Sequence, residues 1–155
     1  MVDAYLYGLR LLARRELSEA QLRTRLTRRA HPPEDIDAAL ARLRAEGALD
    51  DGRTASAIAR TAINVRRLGP RRVRRAVEAA GVSADVAERA LREALEGVDT
   101  AANVEAALDR GLHTHRGPID DRTAARLYRR LISHGHDPEL VRRALSARRR
   151  ALRDE

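Results

Sequence analysis

Three stretches of this chain align with one another without a gap: "LTRRAHPPEDIDAAL" from Leu26, "VEAAGVSADVAERAL" from Val77 and "LISHGHDPELVRRAL" from Leu131. Each reads as the end of one helix, a tight turn and the start of the next. An internal repeat constrains the fold more than any other feature of a sequence, because each copy must be one supersecondary unit. The turn position holds Ala30, Gly81 and Gly135, and glycine suits the left-handed residue that closes a helix. Ser83 and Asp137 are good N-caps, whereas Pro32 is a poor one. Pro33 and Pro138 take the first helical position, followed by Glu34 and Glu139, the acids that a helix start favours. The apolar stripe recurs as Ile36, Ala39, Leu40; Ala87, Ala90, Leu91; and Val141, Ala144, Leu145. That i, i+3, i+4 spacing marks one helix face.

Each copy also has a helix upstream. The first spans about residues 3–15 and offers Leu6, Leu9 and Leu12 as its inward face. Ser18 then starts the next helix, with Gln21 completing a capping box and Leu17 and Leu22 a hydrophobic staple. The second leading helix spans about 51–67, with Ile58, Ala59, Ala62 and Ile63 inward. The third spans about 100–113, with Val104, Ala107, Leu108 and Leu112. Gly69-Pro70 and Gly117-Pro118 break the chain after the second and third. No segment alternates at period two. The expected fold is all-α: an elongated array of three tandem three-helix, helix-turn-helix-like modules, divided at 1–50, 51–98 and 99–155. The chain has no Phe or Trp and three Tyr, so each core must be small and aliphatic. Stacking on neighbours then supplies what one short bundle lacks.

Charge separates the modules. The net charge is +8 and every basic residue is Arg. The first module carries nine Arg against eight acids, the second ten against six, the third twelve against nine. Residues 60–77 contain seven Arg and no acid, which suits a negatively charged partner. Within them, Arg71, Arg72, Arg74 and Arg75 begin a helix, where the dipole favours acids. On a wheel of roughly 100° per residue, Val73, Ala76, Val77 and Ala80 share one side and these arginines the other. Glu78 is placed to pair with Arg74 at i+4. Arg66 and Arg67 extend the ridge across the Gly-Pro turn, so guanidiniums and helix-start amides would face one region fit for phosphate or carboxylate. Arg129 and Arg130 join these as expected partner contacts. The basic tail "RRALSARRRALRDE" reads equally as a nucleic-acid contact or as the end of the last helix.

Other chemistry is poorly supported. There is no Cys, hence no disulfide framework or thiolate nucleophile. "HTH" at 113–115 and "HGH" at 134–136 invite a zinc reading, but no acid or thiolate joins them, and His134 at a helix C-terminus suits the dipole. No phosphate loop and no Ser–His pairing can be placed. Acidic pairs such as Glu34-Asp35 and Asp50-Asp51 lie at helix starts, where capping accounts for them. No enzymatic activity, cofactor or metal is expected. No run is long and apolar enough to span a membrane, and the opening "MVDAYLYGLRLLARRE" is an amphipathic helix rather than a signal peptide. A soluble cytoplasmic monomer is expected.

The order of these motifs resembles the RecX family of bacterial recombination regulators over nearly the whole chain. The resemblance is carried by "GLRLLARRELSEAQLRTRL", by the junction "LRAEGALDDGR" from Leu43 to Arg53, by Gly69-Pro70-Arg71-Arg72-Val73, and by "LISHGHDPELVRRAL". Thr54 stands where relatives have Phe, and His31, Val82 and His136 where they have aromatics after the turn. The resemblance implies tandem three-helix units that bind the RecA–single-stranded DNA filament along its groove. It implies inhibition of that filament's ATPase and strand exchange, a weak, non-specific affinity for single-stranded DNA, and no catalytic site. The alternative is a helix-turn-helix transcription regulator. Against it, the recognition helices would meet DNA with Glu34, Asp35 and Asp37, or with Asp85 and Glu88. A hinge is expected near residues 110–120, where "DRGLHTHRGPIDDR" has little apolar content, in contrast to the first junction with Leu43 and Leu49.

Overall fold

The computed structural model describes residues 3–153, and within them the protein is all-α. Nine helices follow one another: α1 (Ala4–Leu12), α2 (Glu19–Arg28), α3 (Pro33–Ala45), α4 (Asp51–Asn64), α5 (Pro70–Glu78), α6 (Ala84–Leu95), α7 (Thr100–Leu112), α8 (Asp121–Ser133) and α9 (Pro138–Ala151). Their starts are chemically explicit. Ser18 accepts from the Gln21 amide while Gln21 reaches back to Ser18, the full capping box. Asp50, Ser83, Asp99, Asp120 and Asp137 each accept from an amide of the first turn. Pro32 and Gly69 provide no side-chain cap. Each such cap stabilises its helix by about 1 kcal/mol.

Three aliphatic cores form, one for each consecutive set of three helices. The first gathers Leu17, Leu22, Leu26, Ile36, Leu40 and Leu43. The second gathers Ala59, Ile63, Leu68, Val73, Val77 and Leu91. The third gathers Val104, Leu108, Leu127, Leu131, Val141 and Leu145. All nine stripe residues of the repeated third helix are buried. The turn before that helix repeats as well: Ala30, Gly81 and Gly135 have φ of 59°, 76° and 85°. Leu43 and Leu49 pack into the first core.

The inward face of α1 differs from expectation. Leu6 and Leu9 are 47% and 38% exposed, and Ala4 and Gly8 are the buried residues. The reason is close approach: a Cβ at Gly8 would lie 2.9 Å from Leu43 Cδ1. The helix therefore lies against α3 through its smallest side chain, and the leucines turn outward.

Extensive helix-on-helix packing stays within each bundle. Neighbouring bundles meet through loops and turns, and the two joints repeat each other. At the first, Ser18 Oγ donates to Ala80 O, and Thr54 Oγ1 donates to Leu17 O at 3.2 Å. At the second, Gly69 N donates to His134 O at 2.8 Å, and Asn103 Nδ2 donates to Leu68 O at 3.2 Å. Ser18 and Gly69 are equivalent N-caps, and Thr54 and Asn103 both sit four residues after the caps Asp50 and Asp99. Among the described residues no hydrogen bond or ion pair links the first bundle to the third, the nearest-neighbour pattern of a repeat array.

The segment expected to act as a hinge joins α7 to α8 inside the third bundle, not one bundle to another. Ile119 within it is buried, and the His115 ring lies 3.2 Å from Pro118 O. Gly117-Pro118 is thus an intra-bundle turn, as Gly69-Pro70 is in the second bundle. The connection between those two bundles is instead the short stretch around Gly97, whose φ is 70°.

Candidate partner interface at the second joint

The arginine ridge starts from the Gly-Pro turn. Val73 and Val77 of α5 enter the second core, so Arg71, Arg72, Arg74 and Arg75 face solvent. Arg66 is exposed and Arg67 half-buried in the loop before it. That loop is held by the third bundle. Arg110 donates to Val65 O at 3.1 Å, the His136 ring meets Arg67 O at 2.8 Å, and Asn103 and Gly69 make the bonds given above. Arg67 has φ of 54°, a left-handed conformation that costs a non-glycine residue roughly 1–2 kcal/mol. The His136 contact fixes it there. The backbones at Gly69 and Gly135 approach so closely that a Cβ on Gly69 would overlap Gly135 and His136, and one on Gly135 would overlap Arg72.

Two details correct the reading from sequence. Arg74 pairs with Glu88 of α6 at 2.6 Å, not with Glu78. The pairing draws the Glu88 carboxyl below the usual range, with Glu78 acting on Arg74 only through its charge. The helix start also offers few free amides. Gly69 gives its N–H to His134 O, Pro70 has none, and Arg72 N bonds Gly69 O at 3.0 Å. An anion there would be held by guanidiniums rather than by the helix end.

Arg129 and Arg130 part company. Arg130, with Arg72 and Arg66, is close enough to His134 to push its imidazole pKa down, the largest cause being burial. Arg130 is thus a neighbour of His134 at the second joint. Arg129 lies instead on a groove between α8 and α9. Burial first, and Arg130, Arg72 and Arg66 second, thus hold the His134 imidazole below its ordinary pKa, opposing the charge that the dipole at the end of α8 would favour. His136 is shifted downward too, chiefly by burial. Among the described residues no three His, Cys, Asp or Glu side chains cluster as a metal site requires. The basic tail continues α9: Arg148 bridges Glu105 and Asp109, and Arg149 meets Asp121 at 2.6 Å. Asp154 and Glu155, the last residues of that tail, lie outside the described residues. No described helix is long and apolar enough to cross a membrane.

Sequence reasoning missed Thr54, Asn103 and His136 as joint residues. Asn103 did carry a signal, a polar residue beside the stripe residue Val104. Of the arginines in the acid-free run, Arg66, Arg67, Arg71, Arg72 and Arg75 make no ion pair among the described residues.

Comparison with known proteins agrees with this architecture. Residues 4–43 match the family model described as RecX, first three-helix domain, and residues 50–91 match RecX, second three-helix domain. The chain is 36% identical over 139 residues to the regulatory protein RecX of Chromohalobacter salexigens, covering 90% of this chain and 88% of that one. It is 35% identical over 140 residues to that of Halorhodospira halophila, covering 90% and 84%. To that of Thermus thermophilus it is 46% identical over 92 residues, covering 59% and 63%. The fold is similar to the crystal structure of RecX from Lactobacillus salivarius, with a TM-score of 0.70 at 16% identity over 93% of both chains. It is also similar to another crystal structure of regulatory protein RecX, with a TM-score of 0.69 at 22% identity over 88% of this chain and 67% of that one. Three-helix bundles joined in series, matched over nine-tenths of the chain, are shared with these regulatory proteins, and the chain belongs to the RecX family.

Proposed function

We propose that this protein is a non-enzymatic regulator that binds the RecA filament on single-stranded DNA and inhibits its ATP hydrolysis and strand exchange. Its principal electrostatic contact is the ridge at the second joint. The observation that carries this reading is a set of arginines that make no ion pair among the described residues: Arg66, Arg71, Arg72 and Arg75, exposed, and Arg67, half-buried. The third bundle holds the loop that carries Arg66 and Arg67, with Arg67 at a φ of 54°, and packs against the backbone of Arg72. A recombinase filament presents both phosphate and acidic side chains, and guanidinium recognises either through paired N–H donors. Sequence-blind, salt-sensitive contact with single-stranded DNA follows from the same chemistry. The protein acts as a cytoplasmic monomer, its three modules following the filament groove.

Reversal of charge at Arg71, Arg72, Arg74 and Arg75 tests this. Inhibition of DNA-dependent ATP hydrolysis should fall while helicity by circular dichroism stays intact. Undiminished inhibition with intact helicity rules the ridge out. The transcription-regulator alternative fares worse. Glu34, Asp35 and Asp85, at the starts of the helices that would enter a major groove, are exposed and would repel phosphate.

A further inference from the structure

The seam between the second and third helices of each module carries the same pair of positions. In the first module they are Arg23 and Asp37, joined at 2.6 Å. In the second they are Arg74 and Glu88, again at 2.6 Å. By the gap-free alignment the third module has Tyr128 and Arg142 there. The acid has become an arginine and the arginine an aromatic ring. The Arg142 guanidinium lies 5.9 Å from the Tyr128 ring centre, so a cation–aromatic contact stands where the other two modules have an ion pair.

The result is an open groove between α8 and α9 of about 480 Å³, within the range of roughly 300–1,000 Å³ that small-molecule sites occupy. Its floor is small and mostly apolar: Ala124, Ala125, Leu145 and Ser146. Tyr128 is half-buried, one side of it against the third core. The rim is Arg129, Arg142 and Arg149, with no acid among the lining residues. Glu139 holds Arg142 at 3.0 Å and Asp121 holds Arg149 at 2.6 Å from outside the groove. Both acids are exposed, and such pairs yield readily to a competing anion.

We propose that this groove is a subsite for one nucleotide of a single-stranded nucleic acid, with the base stacked on Tyr128 and the phosphates on Arg129, Arg142 and Arg149. An aromatic face set among guanidiniums is the arrangement by which single strands are held without regard to sequence. A docked helix would need anchors over i, i+4 and i+7, and the apolar floor is too short for them. The site is separate from the ridge at the second joint and does not rest on the recombinase reading, since free strand suffices to test it.

The test uses the full chain and a fluorescein-labelled oligothymidylate carrying 5-iodouracil, read by anisotropy and by mapping the photo-crosslink. Tyr128→Phe should bind within about twofold of the parent, whereas Tyr128→Ala should bind about tenfold more weakly. Because Tyr128 also packs on the core, a second variant transplants the closed seam: Tyr128→Arg with Arg142→Glu. It should fold, as judged by its melting temperature, and should lose binding to the same degree. The crosslink should map to Tyr128. Three results overturn the proposal: a crosslink confined to the second module, equal affinity of the transplant and the parent, or loss of polyglutamate binding in the transplant with oligothymidylate binding unchanged. The last assigns the groove to an acidic protein segment. Charge reversal on the ridge, run in parallel, shows separately whether that surface binds the strand.

Discussion

The two joints share a plan and differ in charge. At the first, a hydroxyl of one bundle and a threonine of the next capture backbone carbonyls, and Arg53 reaches Glu16 at 2.7 Å. At the second, a backbone amide and an asparagine do the same work. There, however, Arg66, Arg72 and Arg130 lie near His134, and among the described residues none of the three is in an ion pair. The same geometry is neutralised in one place and left cationic in the other. The hydrogen bonds that hold the second joint involve no guanidinium except that of Arg110, so we assign the excess charge to a partner.

The comparison breaks most severely where backbones touch. Gly135→Ala adds a Cβ that overlaps Arg72 and forces alanine to a φ of 85°. Overpacking and the left-handed penalty together should cost about 2–4 kcal/mol, read as a lowered denaturant midpoint. Gly81→Ala, at the first joint, meets only the Ala20 Cβ at 2.8 Å with a φ of 76°. It should cost less, about 1–3 kcal/mol. Equal losses would mean that the second joint is no tighter than the first.

The carbonyl captures are next in size. Thr54→Ala and Asn103→Ala each remove a donor from a buried carbonyl, and each should cost about 1–2 kcal/mol by equilibrium unfolding. In hydrogen exchange, Asn103→Ala should loosen the loop at residues 65–69, and Thr54→Ala should leave it protected.

Acid should separate the joints further. Burial holds His136 and His134 below the ordinary histidine pKa, so the unfolded chain takes up protons that the folded chain refuses. Stability from these groups is complete above about pH 6.5 and falls as pH drops through that value toward the depressed folded pKa. A melting temperature followed from pH 7.5 to 5.5 should decline less steeply in His136→Gln, which keeps a donor near Arg67 O. The smallest effect is expected at α1: Leu6→Ser should change stability by no more than about 0.5 kcal/mol, because that side chain faces water.

These outcomes track what the sequence could and could not disclose. The third-helix stripes, the caps at Ser18, Ser83 and Asp137 and the left-handed turn at Gly81 and Gly135 were legible because they depend on residues a few positions apart. The inward face of α1 was not, since its decisive residue is Gly8, and an absent side chain leaves no hydrophobic mark. The partner of Arg74 was misassigned because Glu88 lies fourteen residues on, beyond the reach of the i+4 rule. The repeat did hold the clue, as Arg23 and Asp37 have that same spacing. The ridge was visible as an acid-free run, but its dependence on the third bundle was not: backbone carbonyls at Val65, Arg67 and Leu68 have no signature in the sequence.

The account stands on position rather than amount of charge, and a charge-matched comparison tests that directly. One variant reverses Arg66, Arg71 and Arg72 at the second joint, and the other reverses the exposed Arg10, Arg14 and Arg28 of the first bundle. Both lower the net charge equally, and both are assayed for inhibition of recombinase ATP hydrolysis on single-stranded DNA at fixed salt. The joint variant should need about tenfold more protein for the same inhibition, and the first-bundle variant no more than about twofold. Equal losses in the two would contradict the account and reduce the ridge to its share of the total charge.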